Sequence, residues 1–213
     1  MSPLRLSDMR LSDMYLSDMS DMHLSDIEAA DLEPPDIDSI LAYWYDSPVD
    51  YLRSIGVAPE KLPSKRKMRE MLALKLGQPH VPPTILVVAA KGERVGVHEL
   101  THIEPGVSAV MHAHIWKAEH RGRGIGAVSY VKAMERFFDA HGFSRILFET
   151  PTANAGANRI KQILGIAPRG EGSLYLPIMV RPLATTRYAV ERSELPAIVG
   201  RLEANAWNRR RSS

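Results

Sequence analysis

The 213-residue chain contains no cysteine. That excludes disulfides, a thiolate nucleophile and any zinc site built on sulfur. It lacks an apolar run long enough to cross a bilayer. Asp8, Asp13 and Asp18 interrupt the stretch where a secretory signal needs unbroken apolar residues. The expectation is a cytoplasmic protein with no membrane partner. A surplus of one charge is also missing: 27 basic against 25 acidic residues leave a formal net charge of +2. That argues against a nucleic-acid partner, although Arg209, Arg210 and Arg211 make a local basic patch. Two common phosphate-binding signatures are absent as well. No Gly-Lys-Ser/Thr follows the glycine-rich segment at 122–126, and the residue three after Gly124 is Ala127, which breaks the G-x-G-x-x-G spacing.

What is present suits one domain of ordinary size with tails. Residues 6–26 carry a degenerate five-residue repeat of the Leu-Ser-Asp-Met type. Its apolar residues step by three and two in turn, which fits neither helix nor strand. Residues 1–22 therefore read as a low-complexity, disordered extension, 23–191 as the folded domain, and 192–213 as a C-terminal helix and basic tail.

Within the domain, 27–32 reads as a first strand. Ile37, Ile40, Leu41 and Trp44 have helical spacing over 36–45, and Ser47 is placed to cap a short helix through Arg53. Ser64 opens a third helix with Met68, Met71, Leu72 and Leu76 on one stripe. Three strands follow at 84–90, 95–103 and 107–117. The first is apolar throughout, as a strand covered on both faces would be. A helix over 127–141, a strand at 145–150, a helix at 154–164, strands at 169–176 and 185–191, and a terminal helix capped by Ser193 complete the order.

The organising stretch is Arg121-Gly122-Arg123-Gly124-Ile125-Gly126, between a strand and a helix. The first N–H groups of a helix lack internal partners and carry the positive end of its dipole. Glycines let the backbone approach an anion closely, and Arg121 and Arg123 add charge. The segment resembles the Arg/Gln-x-x-Gly-x-Gly/Ala signature of the GNAT superfamily of N-acetyltransferases, as Arg121-x-x-Gly124-x-Gly126. A second stretch, Asn154 to Arg159 running on to Leu164-Gly165-Ile166, is similar to the Asn-x-x-x-x-Arg…Leu-Gly-Phe helix of the ribosomal-protein N-terminal acetyltransferase type.

The resemblance implies an α/β (α+β) GNAT fold. Its mixed central sheet would have about six to seven strands, helices on both faces, and a splay between a bulged strand 4 and strand 5. It implies acetyl-coenzyme A as co-substrate and acetyl transfer to a primary amine of a small molecule or a peptide, by a monomer or homodimer. The pyrophosphate would lie on Arg121, Gly122, Arg123, Gly124, Ile125 and Gly126. Pantetheine would pair with the main chain of Ile115, Trp116 and Lys117, and Asn154, Asn158 and Arg159 would complete the cofactor site. The attacking amine needs a proton acceptor. His112 and His114, which share a strand face with Trp116, and Glu99 on the preceding strand are the candidates. The two histidines also read as structural residues, and no third ligand at suitable spacing makes them a metal site. Where many members carry a tyrosine that protonates the leaving thiolate, this chain has Lys161: either no such acid is used, or the role falls elsewhere, with Tyr175 and Tyr188 as the candidates. That departure keeps open a second reading, a catalytically silent acyl-coenzyme A-binding domain acting as sensor or scaffold.

Overall fold

The structure, a computed structural model, describes residues 24–78 and 80–210, with side chains to Ala204. The extension at 1–22 and the last arginine of the basic tail lie outside the described residues. Among the described residues seven strands form one sheet: β1 (Ile27–Asp31), β2 (Ile85–Ala90), β3 (Glu93–Glu104), β4 (Ser108–Ile115), β5 (Arg145–Pro151), β6 (Pro168–Leu174) and β7 (Leu183–Glu191). Their order is β1-β2-β3-β4-β5-β7-β6. Every neighbouring pair is antiparallel except β4 and β5. Among the described residues six α-helices decorate it: α1 (Pro34–Tyr45), α2 (Val49–Ser54), α3 (Lys65–Ala73), α4 (Ile125–His141), α5 (Ala155–Leu164) and α6 (Leu195–Arg210). The expected mixed α/β architecture is what the chain adopts.

The apolar run of β2 is explained by burial on both sides. Ile85 and Val87 pack with Ile37, Ile40 and Leu41 of α1 and Leu72 of α3. Leu86 and Val88 face the larger core, where Met134, Phe137 and Phe138 of α4 meet Ile146, Phe148 and Val190. Strand alternation sends successive side chains to these two layers. At the start of α1, Glu33 and Asp36 form a capping box, with Glu33 N donating to Asp36 Oδ2 at 2.8 Å. Three local expectations need correction. Helix α2 is preceded by Pro48, with no side-chain cap from Ser47. Of the α3 stripe only Leu72 is buried, Met71 being exposed. The C-terminal helix is entered through a Glu191–Glu194 capping box rather than from Ser193.

The feature that positions the site is the parting of β4 from β5. They pair only at Ser108–Arg145, Ala109–Ile146 and Val110–Leu147. From Met111 onward β4 has no partner on that side, while its pairing with β3 runs unbroken from Thr101–Val110 to Gly96–Ile115. The bulge expected in the fourth strand therefore lies elsewhere. The register shift falls on β3 between Thr101 and Glu104, where His102 takes φ 49°. Trp116 N–H donates to Val95 O and Leu100 N–H to Thr84 O. Antiparallel alternation then turns the main-chain N–H and C=O groups of Met111, Ala113 and Ile115 toward the gap.

Candidate active site

A cleft of about 1070 Å³ occupies the splay. One end is floored by the glycine turn ahead of α4. Gly122 and Gly124 take φ of 78° and 79°, the left-handed region open to glycine. A Cβ placed on Gly122 would meet nothing within 4 Å. Gly124 is the N-cap of the 17-residue α4 and supplies no side-chain cap. The first intrahelical bond is Val128 N–H to Gly124 O. The N–H groups of the turn before it thus have no partner within the helix, and they stand at the positive end of its dipole.

The loop residues divide by role. Ile125 is buried in the core, and Arg123 is exposed beside the turn. A Cβ on Gly126 would lie 2.7 Å from Ile160 Cδ1, so this glycine serves the close approach of α4 to α5. Arg121 does not aim its charge at the turn. Its Nε and Nη2 donate to Ile115 O at 3.2 and 3.0 Å, and Nη2 to Trp116 O at 3.1 Å. The guanidinium also stacks over Tyr51, 4.2 Å from the ring centroid. Arg121 therefore ties down the end of β4. Trp116 contributes its side chain to the α1 core and its N–H to β3. Lys117 is exposed and ion-paired to Glu93 at 3.0 Å. Of the three main-chain positions expected to face pantetheine, only Ile115 faces the gap; Ala113 and Met111 are the others on that edge.

The residues around α5 are mostly occupied within the protein. Asn154 caps the helix by accepting from Ala157 N–H at 3.0 Å. Asn158 Nδ2 donates to Pro151 O, Thr152 O and Asn154 O, and its Oδ1 accepts from Tyr188 Oη at 2.8 Å. Arg159 lines the cleft with its Nη1 on Gln162 Oε1 at 3.3 Å.

The histidines of β4 stand on the α1 face. His114 Nδ1 is 3.0 Å from Tyr43 Oη, which is 3.1 Å from Tyr51 Oη. Burial first, then the neighbouring His112 and Arg121 charges, push His114 down to about 4. Burial also raises Tyr43 far above an ordinary phenol, so it stays protonated. His112 Nε2 is engaged by Thr101 Oγ1 at 2.9 Å, and burial lowers it as well. Glu99 sits opposite His112 in the register but pairs with Lys75 at 3.2 Å and lies outside the cleft lining. Tyr43 and Tyr51 escaped the sequence reading. They lie 71 and 63 residues before His114, and only Tyr43's place off the apolar stripe of α1 marks it.

Across the gap stands Lys161, fully buried on α5. Its Nζ donates to Tyr130 Oη at 2.9 Å and lies 4.3 and 4.9 Å from the Tyr130 and Phe148 ring centroids. The Tyr188 ring is 5.9 Å away. Aromatic faces stabilise a desolvated ammonium, and its charge is felt by His98 and His112. Tyr175 is exposed and outside the lining. Among the described residues no cluster of three or more His, Cys, Asp or Glu could hold a metal, and no helix is long and apolar enough to cross a membrane.

Two buried neutral histidines predict acid lability. His98, bonded to Ser129 Oγ at 3.0 Å, is pushed by burial down to about 3. In the unfolded chain both His98 and His114 titrate near 6.5. Between these values the unfolded state binds more protons, so acid favours unfolding. Stability should be full above about pH 6.5 and fall through pH 4, by several kcal/mol at about 1.4 kcal/mol per unit of displacement. Urea midpoints at pH 7 and 4.5 check this, and His98→Gln should flatten the difference.

The acetyltransferase (GNAT) family model matches residues 51–165. Comparison with curated protein sequences finds no match. Solved structures are similar at the level of fold. Mycobacterium smegmatis RimJ in complex with coenzyme A disulfide is 17% identical, with TM-score 0.65, over 84% of this chain and 88% of that one. Vibrio cholerae spermidine N-acetyltransferase with coenzyme A and spermine is 18% identical, with TM-score 0.64, over 81% and 99%. RimL, a ribosomal L7/L12 α-N-protein acetyltransferase in complex with coenzyme A, is 15% identical, with TM-score 0.63, over 78% and 94%.

Proposed function

This chain belongs to the acetyltransferase (GNAT) family, and from that premise we propose that it moves an acetyl group from acetyl-coenzyme A to a primary amine in the β4–β5 cleft. The observation that carries the reading is the uncapped N-terminus of α4 opening onto that cleft beside a turn with room for a ligand. The N–H groups following Gly124 would hold the pyrophosphate, with Arg123 and Arg159 at its edge. The main-chain groups of Met111 and Ala113, and the N–H of Ile115, whose carbonyl Arg121 already holds, would receive the pantetheine arm as an added strand edge. A main-chain N–H among them is placed to stabilise charge developing on the thioester oxygen.

In the transfer, a C–N bond to the neutral amine forms and the C–S bond breaks, leaving its electron pair on sulfur. His114 Nε2 accepts the amine proton. For this, Nδ1–H donates to Tyr43 Oη and Tyr43 donates to Tyr51, which leaves Nε2 with its lone pair. Lys161, held on Tyr130, returns a proton to sulfur. Lys161→Met should lower turnover tenfold or more while acetyl-coenzyme A affinity holds, as stopped turnover assays and titration calorimetry would show.

The proposal is tested by mixing the protein with acetyl-coenzyme A and a broad set of primary amines and following free coenzyme A thiol. Amine-dependent release supports it. Tight binding of acetyl-coenzyme A with no release for any amine would instead favour the silent, sensing role.

A further inference from the structure

The acceptor end of the cleft is roofed by two segments distant in sequence. Val57 bridges Met179. Ala58 N–H donates to Ile178 O at 2.8 Å, and Val180 N–H to Gly56 O at 3.3 Å. Lys61 Nζ adds a bond to Met179 O at 2.8 Å. Gly56 takes φ 89°, and a Cβ there would lie 2.4 Å from Leu183 Cδ1, so the turn after α2 is pressed against the start of β7. The wall so formed lines the cleft with Ile55, Val57, Leu174, Leu176, Ile178 and Met179. The rings of Tyr43, Trp44 and Tyr51 line the cleft as well, Tyr43 and Trp44 packed on His114.

The charges of the lining point the same way. Beside the rings the fixed charge is the Arg121 guanidinium, 4.2 Å from the Tyr51 centroid, and Glu149 is the one carboxylate among the described lining residues. Glu149 Oε1 is already engaged, accepting from Thr185 Oγ1 at 2.9 Å and pairing with Arg187 Nε at 3.4 Å. A polycationic acceptor would find a single carboxylate there, already paired with Arg187, and would face the Arg121 guanidinium. A charged group pressed against the aliphatic wall would lose its hydration without a partner. An apolar body would instead leave water for aliphatic and aromatic contact. The bridged roof closes one side, which favours a compact acceptor over a continuing peptide chain.

We propose that the acceptor is a primary amine carried on a compact, uncharged apolar body, selected by the bridged wall of residues 55–58 and 174–180. This rests on the acetyl-transfer reading above. The test measures coenzyme A release by the full chain with phenethylamine, spermidine and a peptide with a free N-terminus. Phenethylamine should exceed both others at least tenfold in kcat/KM. Ile178→Glu, which places a carboxylate in the wall, should lower that value for phenethylamine about tenfold, raise it for spermidine, and leave acetyl-coenzyme A affinity unchanged. Faster transfer to spermidine or to the peptide overturns the assigned acceptor class while acetyl transfer stands. An Ile178→Glu profile identical to that of the unsubstituted protein overturns the role of the wall. Binding of acetyl-coenzyme A without release for any amine overturns the inference together with the transfer reading.

Discussion

Gly124→Val is expected to weaken acetyl-coenzyme A binding about a hundredfold. At φ 79° a β-branched residue is strained, by about 1–2 kcal/mol for the left-handed region. The chain relieves that strain by rotating the turn, and the N–H groups of the first turn of α4 then cease to converge. Each hydrogen bond to a charged group contributes about 1.5–3 kcal/mol. Losing two removes at least about 3 kcal/mol, and every 1.4 kcal/mol is tenfold. Gly124→Ala should fall between the native protein and the valine variant. Titration calorimetry reads the affinities, and thermal melting separates a local effect from general unfolding, since strain of this size shifts the midpoint of a domain this large by only a few degrees. Unchanged affinity in both variants would remove the glycine turn from the cofactor site.

How far such a site is legible before folding depends on whether its signal is local. The glycine turn is legible because strand, turn and helix are consecutive in sequence. Even so, α4 begins two residues earlier than its periodicity suggests, because Ile125 is drawn into the core. The direction of a side chain is not legible. Arg121 reads as an anion ligand from its place beside three glycines, yet its guanidinium is held by two carbonyls and a tyrosine ring. Pairing is legible only where a short turn joins two strands. Strands β2, β3 and β4 follow one another as hairpins, whereas the insertion of β7 between β5 and β6 depends on contacts that no local pattern encodes. The same distance in sequence hides Tyr43 and Tyr51 behind His114, and hides the Val57–Met179 bridge.

His114→Ala is expected to lower turnover at pH 7 by about a hundredfold or more, the lower range for a positioned general base. Acetyl-coenzyme A affinity should hold, because the ring stands on the α1 face, away from the glycine turn. His112→Ala should have the smaller effect, since Thr101 already engages the ring nitrogen that would do the work. The pH profile of kcat at saturating amine carries the stronger argument. A base with the ordinary histidine value would lose activity below about pH 6.5. His114, lowered by burial to about 4, keeps its imidazole neutral throughout that range. Its acid limb should therefore appear near pH 4, with circular dichroism at each pH excluding unfolding as the cause. Tyr43→Phe removes the hydroxyl that orients Nδ1 and should lower turnover through a misplaced tautomer, with binding of acetyl-coenzyme A intact. If His114→Ala keeps near-normal turnover across the whole profile, the ring is a packing element of the α1 layer. The amine proton must then leave through water, because Glu99, tied to Lys75 outside the cleft, is not placed to receive it.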